Sequence, residues 1–277
     1  MSTTTTALSR PTLPSERFRR VVSLTWTLAI TDWKLRFYGS ALGYVWTLAR
    51  PFAFFGVVYV VFTEIANVGD DVKNYGVYIL YGLVLFGFFA ETTGACVTSL
   101  IARGNLLRKM RFPRIVVPLS VVLSALLNLG MTMVAVFIFT LANGIWPTWS
   151  WLELIPLVVL LALLATGVGM LLSVLYVRFR DVQPIWEVGT QMLFYASPVL
   201  YVATMVPENL QPAYLTNPIA ATLTQVRHAI VDPTAPSLAT AMGGPVRILI
   251  PLGVVALAFG LGLRLFVRRA ERIVEEL

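Results

Sequence analysis

Six stretches of this chain are each long and apolar enough to cross a lipid bilayer, and no other feature restricts its fold so strongly. A helix needs roughly 20 apolar residues to span the hydrocarbon core. The stretches cover residues 39–66, 75–102, 115–143, 154–177, 185–202 and 246–267. Composition agrees. Charged residues make up 13% of the 277, against about 25% in a soluble domain. The expected fold is an all-α integral membrane protein with six transmembrane helices.

The net charge of +7 raises the question of nucleic acid, and the positions of the cations answer it. Arg10, Arg17, Arg19, Arg20, Lys34 and Arg36 precede the first span. Arg103, Arg108, Lys109, Arg111 and Arg114 separate spans two and three, Arg178 and Arg180 separate spans four and five, and Arg268, Arg269 and Arg272 follow span six. With an even number of spans all of these share one side, and the opposite loops hold Lys73, Arg227 and Arg247. The positive-inside rule then places both termini in the cytoplasm, and topology accounts for the basic residues without a nucleic-acid partner. The localisation expected is a bacterial cytoplasmic membrane, crossed several times.

Two segments depart from a plain alternation of spans and loops. Residues 15–37 mix Phe18, Val21, Val22, Leu24, Trp26, Leu28 and Ile30 with charges, the pattern of an amphipathic helix lying in the interface. An imperfect first span is the other reading. Residues 203–245 hold six prolines, and within them "NPIAATLTQVRHAI" offers Asn217 as a helix cap and Pro218 as the first helical residue. Ile219, Leu223, Val226 and Ile230 follow at helical spacing. A short outer helix, either re-entrant or on the surface, is therefore expected between spans five and six. Residues 1–14, with a threonine run, are expected to form a disordered cytoplasmic tail. A single transmembrane domain then covers 15–277, with an interfacial helix at 15–37, six spans over 39–267 and a C-terminal tail at 268–277.

Catalytic patterns are missing from the sequence. Cys96 and His228 each stand alone, so neither a cysteine-based zinc site nor a Ser–His–Asp set is indicated, and no metal site is expected. Asp70 and Asp71 beside Lys73 read as a solvated turn. None of Lys34, Lys73 and Lys109 follows a glycine, so the chain has no phosphate-binding loop of the Walker type. If ATP drives this protein, another chain hydrolyses it.

Polar groups inside the spans carry more information, because they are costly there. Arg50 and Glu91 lie at similar depths on spans one and two, which predicts an intramembrane pair; Arg50 snorkelling to the interface is the alternative. Gln183, Glu187, Gln191 and Tyr195 recur every four residues, so one face of span five is polar. That stripe suits a wet pathway or interhelical hydrogen bonding. "ETTGACVTS" at the end of span two reads as a close-packing surface. Tyr44, Trp46, Phe52, Phe194, Tyr195 and Tyr201 are aromatics that could stack on sugar rings if they line a path.

The loop after span two, "GNLLRKMRFPR", combines cations with Leu106, Leu107 and Met110, three apolar residues on one helical face. Topology explains only its charges, whereas a docking surface explains both. "LRFYGSALGYVWTLARP", "NLLRKMRFPRIVVPLS", "YVRFRDVQPIW", "YASPVLY" and the later "NP" follow in an order that resembles the membrane subunits of type 2 ABC exporters for polysaccharides, among them O-antigen, teichoic acid and galactan permeases. The resemblance covers most of the chain after about Ser15. It implies that Asn105, Leu106, Leu107, Arg108, Lys109, Met110, Arg111 and Phe112 form a coupling helix against an ATPase subunit, and that residues 15–37 form a gate helix. It further implies two permease copies with two nucleotide-binding subunits, ATP and Mg held by the partner rather than this chain, and a cargo of glycan on polyprenyl diphosphate. Lys34, Arg36 and Arg50 become candidates to meet the diphosphate, and Lys34 and Arg36 serve equally well as topology determinants. A drug or lipid exporter of the same superfamily, and an intramembrane enzyme acting on polyprenyl-linked sugars, are the alternative functions.

Overall fold

The computed structural model describes residues 14–37, 43–65, 72–104 and 113–269. Every regular element among them is helical. α1 (Pro14–Phe37) precedes α2 (Gly43–Val60), which runs on into a π turn at Val61–Ile65. α3 (Tyr75–Ala102) and α4 (Val116–Ala142) follow, then a 3-10 turn (Trp149–Glu153) leading into α5 (Leu154–Arg178). After α6 (Val182–Tyr195) come the short α7 (Gln211–Tyr214), α8 (Pro218–Val226) with a π turn at Arg227–Val231, α9 (Leu238–Ala241) and α10 (Leu249–Arg269). The expected coupling segment, Asn105 to Phe112, lies outside the described residues, as do most of the N-terminal tail and residues 270–277.

Five of these segments are long and apolar enough to cross a membrane: Leu48–Ile65, Tyr75–Ala102, Val116–Ala142, Trp149–Arg178 and Pro245–Arg269. α3 sits at the centre, packed against α4, α5, α6 and α8. Its side chains are buried nearly all round, including Tyr78, Ile79, Leu80, Tyr81 and Phe89. α1 is one continuous helix lying on α4. The Ser124 hydroxyl donates to the Ala29 carbonyl at 2.9 Å, and Arg103, at the end of α3, bonds both Asp32 of α1 and Ser120 of α4.

Helices α5 and α10 cross with backbones in contact. A Cβ on Gly262 would lie 2.1 Å from the Gly167 carbonyl oxygen, and one on Gly167 would lie 2.5 Å from Phe259 Cα. Small residues allow such approaches between membrane helices. The small-residue segment of α3 behaves as expected: Thr92, Thr93 and Cys96 are fully buried, and a Cβ on Gly169 of α5 would meet Cys96 at 2.8 Å.

The fifth apolar stretch is where the observed elements differ from those expected. α6 stops at Tyr195, 14 residues long, about 21 Å at 1.5 Å per residue. Ala196 to Tyr201 are non-helical, and Ser197, Pro198 and Val199 are buried. Pro198 cannot donate a backbone hydrogen bond, and broken backbone at such depth needs protein partners. Two tyrosines of α3 supply them. The Tyr75 hydroxyl donates to the Leu200 carbonyl, and the Tyr78 hydroxyl lies against the carbonyls of Pro198 and Tyr201, 3.0 Å from the latter. Gly82, one turn on, leaves room for the loop: a Cβ there would meet the Val199 carbonyl oxygen at 2.9 Å. Tyr78→Phe should therefore cost about 1–3 kcal/mol, the penalty of stranding buried acceptors, and lower the thermal midpoint of the solubilised protein. An unchanged midpoint would remove the clasp from this account.

The outer helix forms as its local sequence predicts. The Asn217 side chain accepts from the Ile219 amide at 3.0 Å, and Pro218 opens α8. Ile219, Leu223, Val226 and Ile230 are all buried. Asn217 also donates to the Ser197 hydroxyl at 3.0 Å, which joins the cap to the break after α6. The segment sits at the end of the bundle where α3 and α5 begin: Asn74 bonds the Val231 carbonyl, and Gln225 bonds Glu153.

Candidate functional site: a cleft between α2, α3, α4 and α6

Leu48–Ile65, which includes most of α2, is the least buried of the five spanning segments. Toward the C-terminal end of α2 Phe55 packs edge-on against Phe139 of α4, ring centres 5.4 Å apart. Below that contact a cleft opens with a volume of about 1310 Å³. Its apolar wall includes Leu83, Phe86 and Phe88 of α3, Phe54 and Val57 of α2, and Phe194 of α6. Phe86 and Phe194 meet edge-on at 5.2 Å. Its polar groups are Arg36, Arg50, Glu91, Asn128 and Thr132, with Trp46 beside them.

Helix geometry explains this division. Leu83 to Glu91 spans about 12 Å of α3 at 1.5 Å per residue, so the apolar wall gives way to charge as the helix approaches Ala102. Arg36, at the C-terminal end of α1, reaches into the cleft and donates to the Glu91 carboxylate at 2.5 Å. This corrects the pairing expected from depth alone. Glu91 takes its cation from α1, while Arg50 lines the same cleft without an ion pair among the described residues. Equal depth on adjacent helices does not fix rotation about each axis. Asn128 is the one side-chain amide of α4, a helix with no charged residue. Its Oδ1 is buried with no hydrogen-bond partner. Restricting attention to ionisable groups overlooks it, although one amide in the middle of α4 is a readable signal.

The other expected site residues divide into three groups. Trp46, Arg50, Arg36 and Phe194 line the cleft, and Phe52 packs at its edge against Phe139. The side chain of Tyr44 lies outside the described set, and Lys34 is not among the cleft-lining residues. The α6 stripe instead faces outward. Gln183 donates to Glu187 at 3.2 Å, and Glu187, Gln191 and Tyr195 are exposed beside Ile185, Val188 and Met192. Tyr201 belongs to the clasp rather than the cleft: its hydroxyl donates to the Tyr195 carbonyl and meets the Tyr214 hydroxyl at 2.9 Å. Burial, reinforced by that hydrogen bond, pushes the Tyr214 phenol well above its ordinary range, so it stays neutral.

Trp186, on the inner face of α6, is a further residue that sequence reasoning passed over. Its indole donates to Thr93 at 3.1 Å and its ring meets Phe89, which fixes α6 against α3. His228 bonds the Ala235 carbonyl at 2.7 Å and so holds a turn of the outer segment. Among the described residues no three His, Cys, Asp or Glu side chains gather as a metal site would require.

A cleft with an apolar wall and a charged end, on a bundle of spanning helices, suits movement of an amphiphile better than bond chemistry. Comparison with known proteins agrees. The sequence profile of the ABC-2 type transporter family matches residues 23–231. An O-antigen export system permease protein of Klebsiella pneumoniae is 32% identical over 204 residues, covering 73% of this chain and 78% of that protein. An O-antigen export system permease protein of Myxococcus xanthus is 32% identical over 201 residues, 72% and 76% of the two chains. A polysialic acid transport protein of Escherichia coli is 22% identical over 209 residues, 74% and 80%. The chain belongs to the ABC-2 type transporter family of multi-pass membrane transport subunits.

Proposed function

We propose that this chain is the permease of a polysaccharide exporter in the bacterial cytoplasmic membrane, and that its cargo is a glycan carried on polyprenyl diphosphate. Two copies work with two separate ATPase subunits, which hold the ATP and Mg, and both termini face the cytoplasm. The observation that carries the reading is the cleft: one wall is apolar and aromatic, the end near Glu91 carries Arg36 and Arg50, and the relatives named above are O-antigen export permeases and a polysialic acid transport protein. A long isoprenoid needs the first surface and a diphosphate the second.

The outward stripe of α6 supports pairing of two copies. Glu187 and Gln191 would be costly against lipid, and a second copy or a shared wet path would cover them. Six crossings are consistent with the element order. α6 starts beside Arg178 and Arg180, the outer segment lies at the opposite end of the bundle, and the clasped residues 196–202 complete the passage. α1 then serves as the interfacial gate helix, with Trp26, Leu35 and Phe18 exposed.

Depleting the chain tests this function. Lipid-linked glycan should accumulate on the cytoplasmic face of the membrane. A lipid or drug exporter would leave that pool unchanged.

A further inference from the structure

The Arg36–Glu91 pair lies in the wall of the cleft, yet each side chain is about half exposed, 43% and 49%. It is thus held by a short contact and still open to a ligand. Arg50 lines the same cavity with no ion pair among the described residues. Asn128 adds a buried oxygen with no partner. The cluster therefore has two guanidinium groups and a single carboxylate.

We propose that Glu91 is a placeholder for the anionic headgroup of an isoprenoid diphosphate: it occupies Arg36 while the cleft is empty and gives that guanidinium up when the diphosphate enters between Arg36 and Arg50. The proposal rests on the cargo reading above and adds the site and its built-in competitor. A counter-ion stabilises an arginine that faces an apolar wall, and in the empty cleft Glu91 supplies it to Arg36. A diphosphate offers more charge than one carboxylate, and oxygens that match the guanidinium fork. Glu91 and the diphosphate compete for one group. Removing the competitor must tighten the ligand by the factor with which the pair occupies Arg36 in the empty cleft. Arg36 also ties the end of α1 to α3, as does the Asp32–Arg103 pair. Loading the cleft thereby loosens the helix at its entrance.

The test uses the full-length chain with its ATPase subunits in lipid nanodiscs, without nucleotide, and geranylgeranyl diphosphate as probe. Glu91→Gln should bind it at least about fivefold more tightly than wild type, and Arg36→Gln at least about fivefold more weakly, the low end of ordinary coupling between sites. Geranylgeraniol, which lacks the diphosphate, should bind all three alike. Inorganic pyrophosphate should follow the same order at lower affinity, since it has no chain to lie along Phe86 and Phe194. Pyrophosphate binding as strongly as the lipid would assign the site to a free phosphate compound and overturn the lipid assignment. A Glu91→Gln affinity that is unchanged or weaker overturns the placeholder. In the wild-type complex, where no variant has to fold, saturating geranylgeranyl diphosphate should increase modification of Glu91 by a hydrophobic carbodiimide, read by mass spectrometry. Unchanged or reduced labelling also overturns it. If depletion leaves the glycan pool unchanged while Glu91→Gln tightens the probe, the cargo reading falls and the diphosphate site stands. The reverse pattern removes the site alone.

Discussion

Gly262→Leu should leave almost no folded protein in the membrane. The α5–α10 crossing has backbone on both sides of the contact. A Cβ at 262 would sit 2.1 Å from the Gly167 carbonyl oxygen and 3.0 Å from its Cα. No flexible side chain is available to move aside. Overpacking an ordinary core costs about 1–3 kcal/mol, and here whole helices must separate, so the expected cost exceeds that range. Each 1.4 kcal/mol is about a factor of ten in a population. The yield of monodisperse protein should therefore fall by about tenfold or more. Gly260→Leu, on the same helix but with open space around its Cβ, should keep near wild-type yield. Equal yields from the two variants would show that the crossing is not where the bundle is held.

The second large effect is expected at the loop after α3. Replacing Leu107 and Met110 together with aspartate should leave insertion into the membrane intact and abolish coupling of ATP hydrolysis to export. By spacing alone, a helix here would put both residues on one face with Leu106 and leave Arg108, Lys109 and Arg111 largely off it. Apolar anchors in the centre of a protein interface are worth about 2 kcal/mol or more each, and a buried carboxylate with no partner adds its desolvation cost. Such a pair of substitutions would remove the proposed docking surface and leave the cations of the segment in place. Copurification with the ATPase should fall sharply, and glycan export with it. Unchanged assembly and export would return the segment to a plain charged loop.

What the sequence conveyed was local or periodic. The run at 75–102 coincides with α3 at both ends, because each residue's hydropathy states where lipid begins. Asn217 was readable as a cap because its partner, the Ile219 amide, is two residues away. Residues 185–202 have the composition of a span, and the end of the helix at Tyr195 goes with Pro198 and with the hold of Tyr75 and Tyr78, more than 100 residues earlier. No window of the sequence contains that relation. The partner of Glu91 was missed for a related reason. Depth along a helix can be counted, but rotation about it cannot, and Arg36 enters from a helix outside the counted spans. The need for a cation near Glu91 was legible, whereas its source was not. The α6 stripe was legible as a polar face, and its outward direction depends on Trp186 turning the opposite face toward α3.

Export of lipid-linked glycan is the central claim, and its sidedness after depletion tests that claim most directly. Cells depleted of this chain would be labelled with a sugar precursor, and the lipid-linked pool assayed for digestion by a glycosidase added from outside. The account predicts a growing pool that the enzyme cannot reach until the membrane is opened. A pool that does not grow, or that remains digestible from outside, would contradict it.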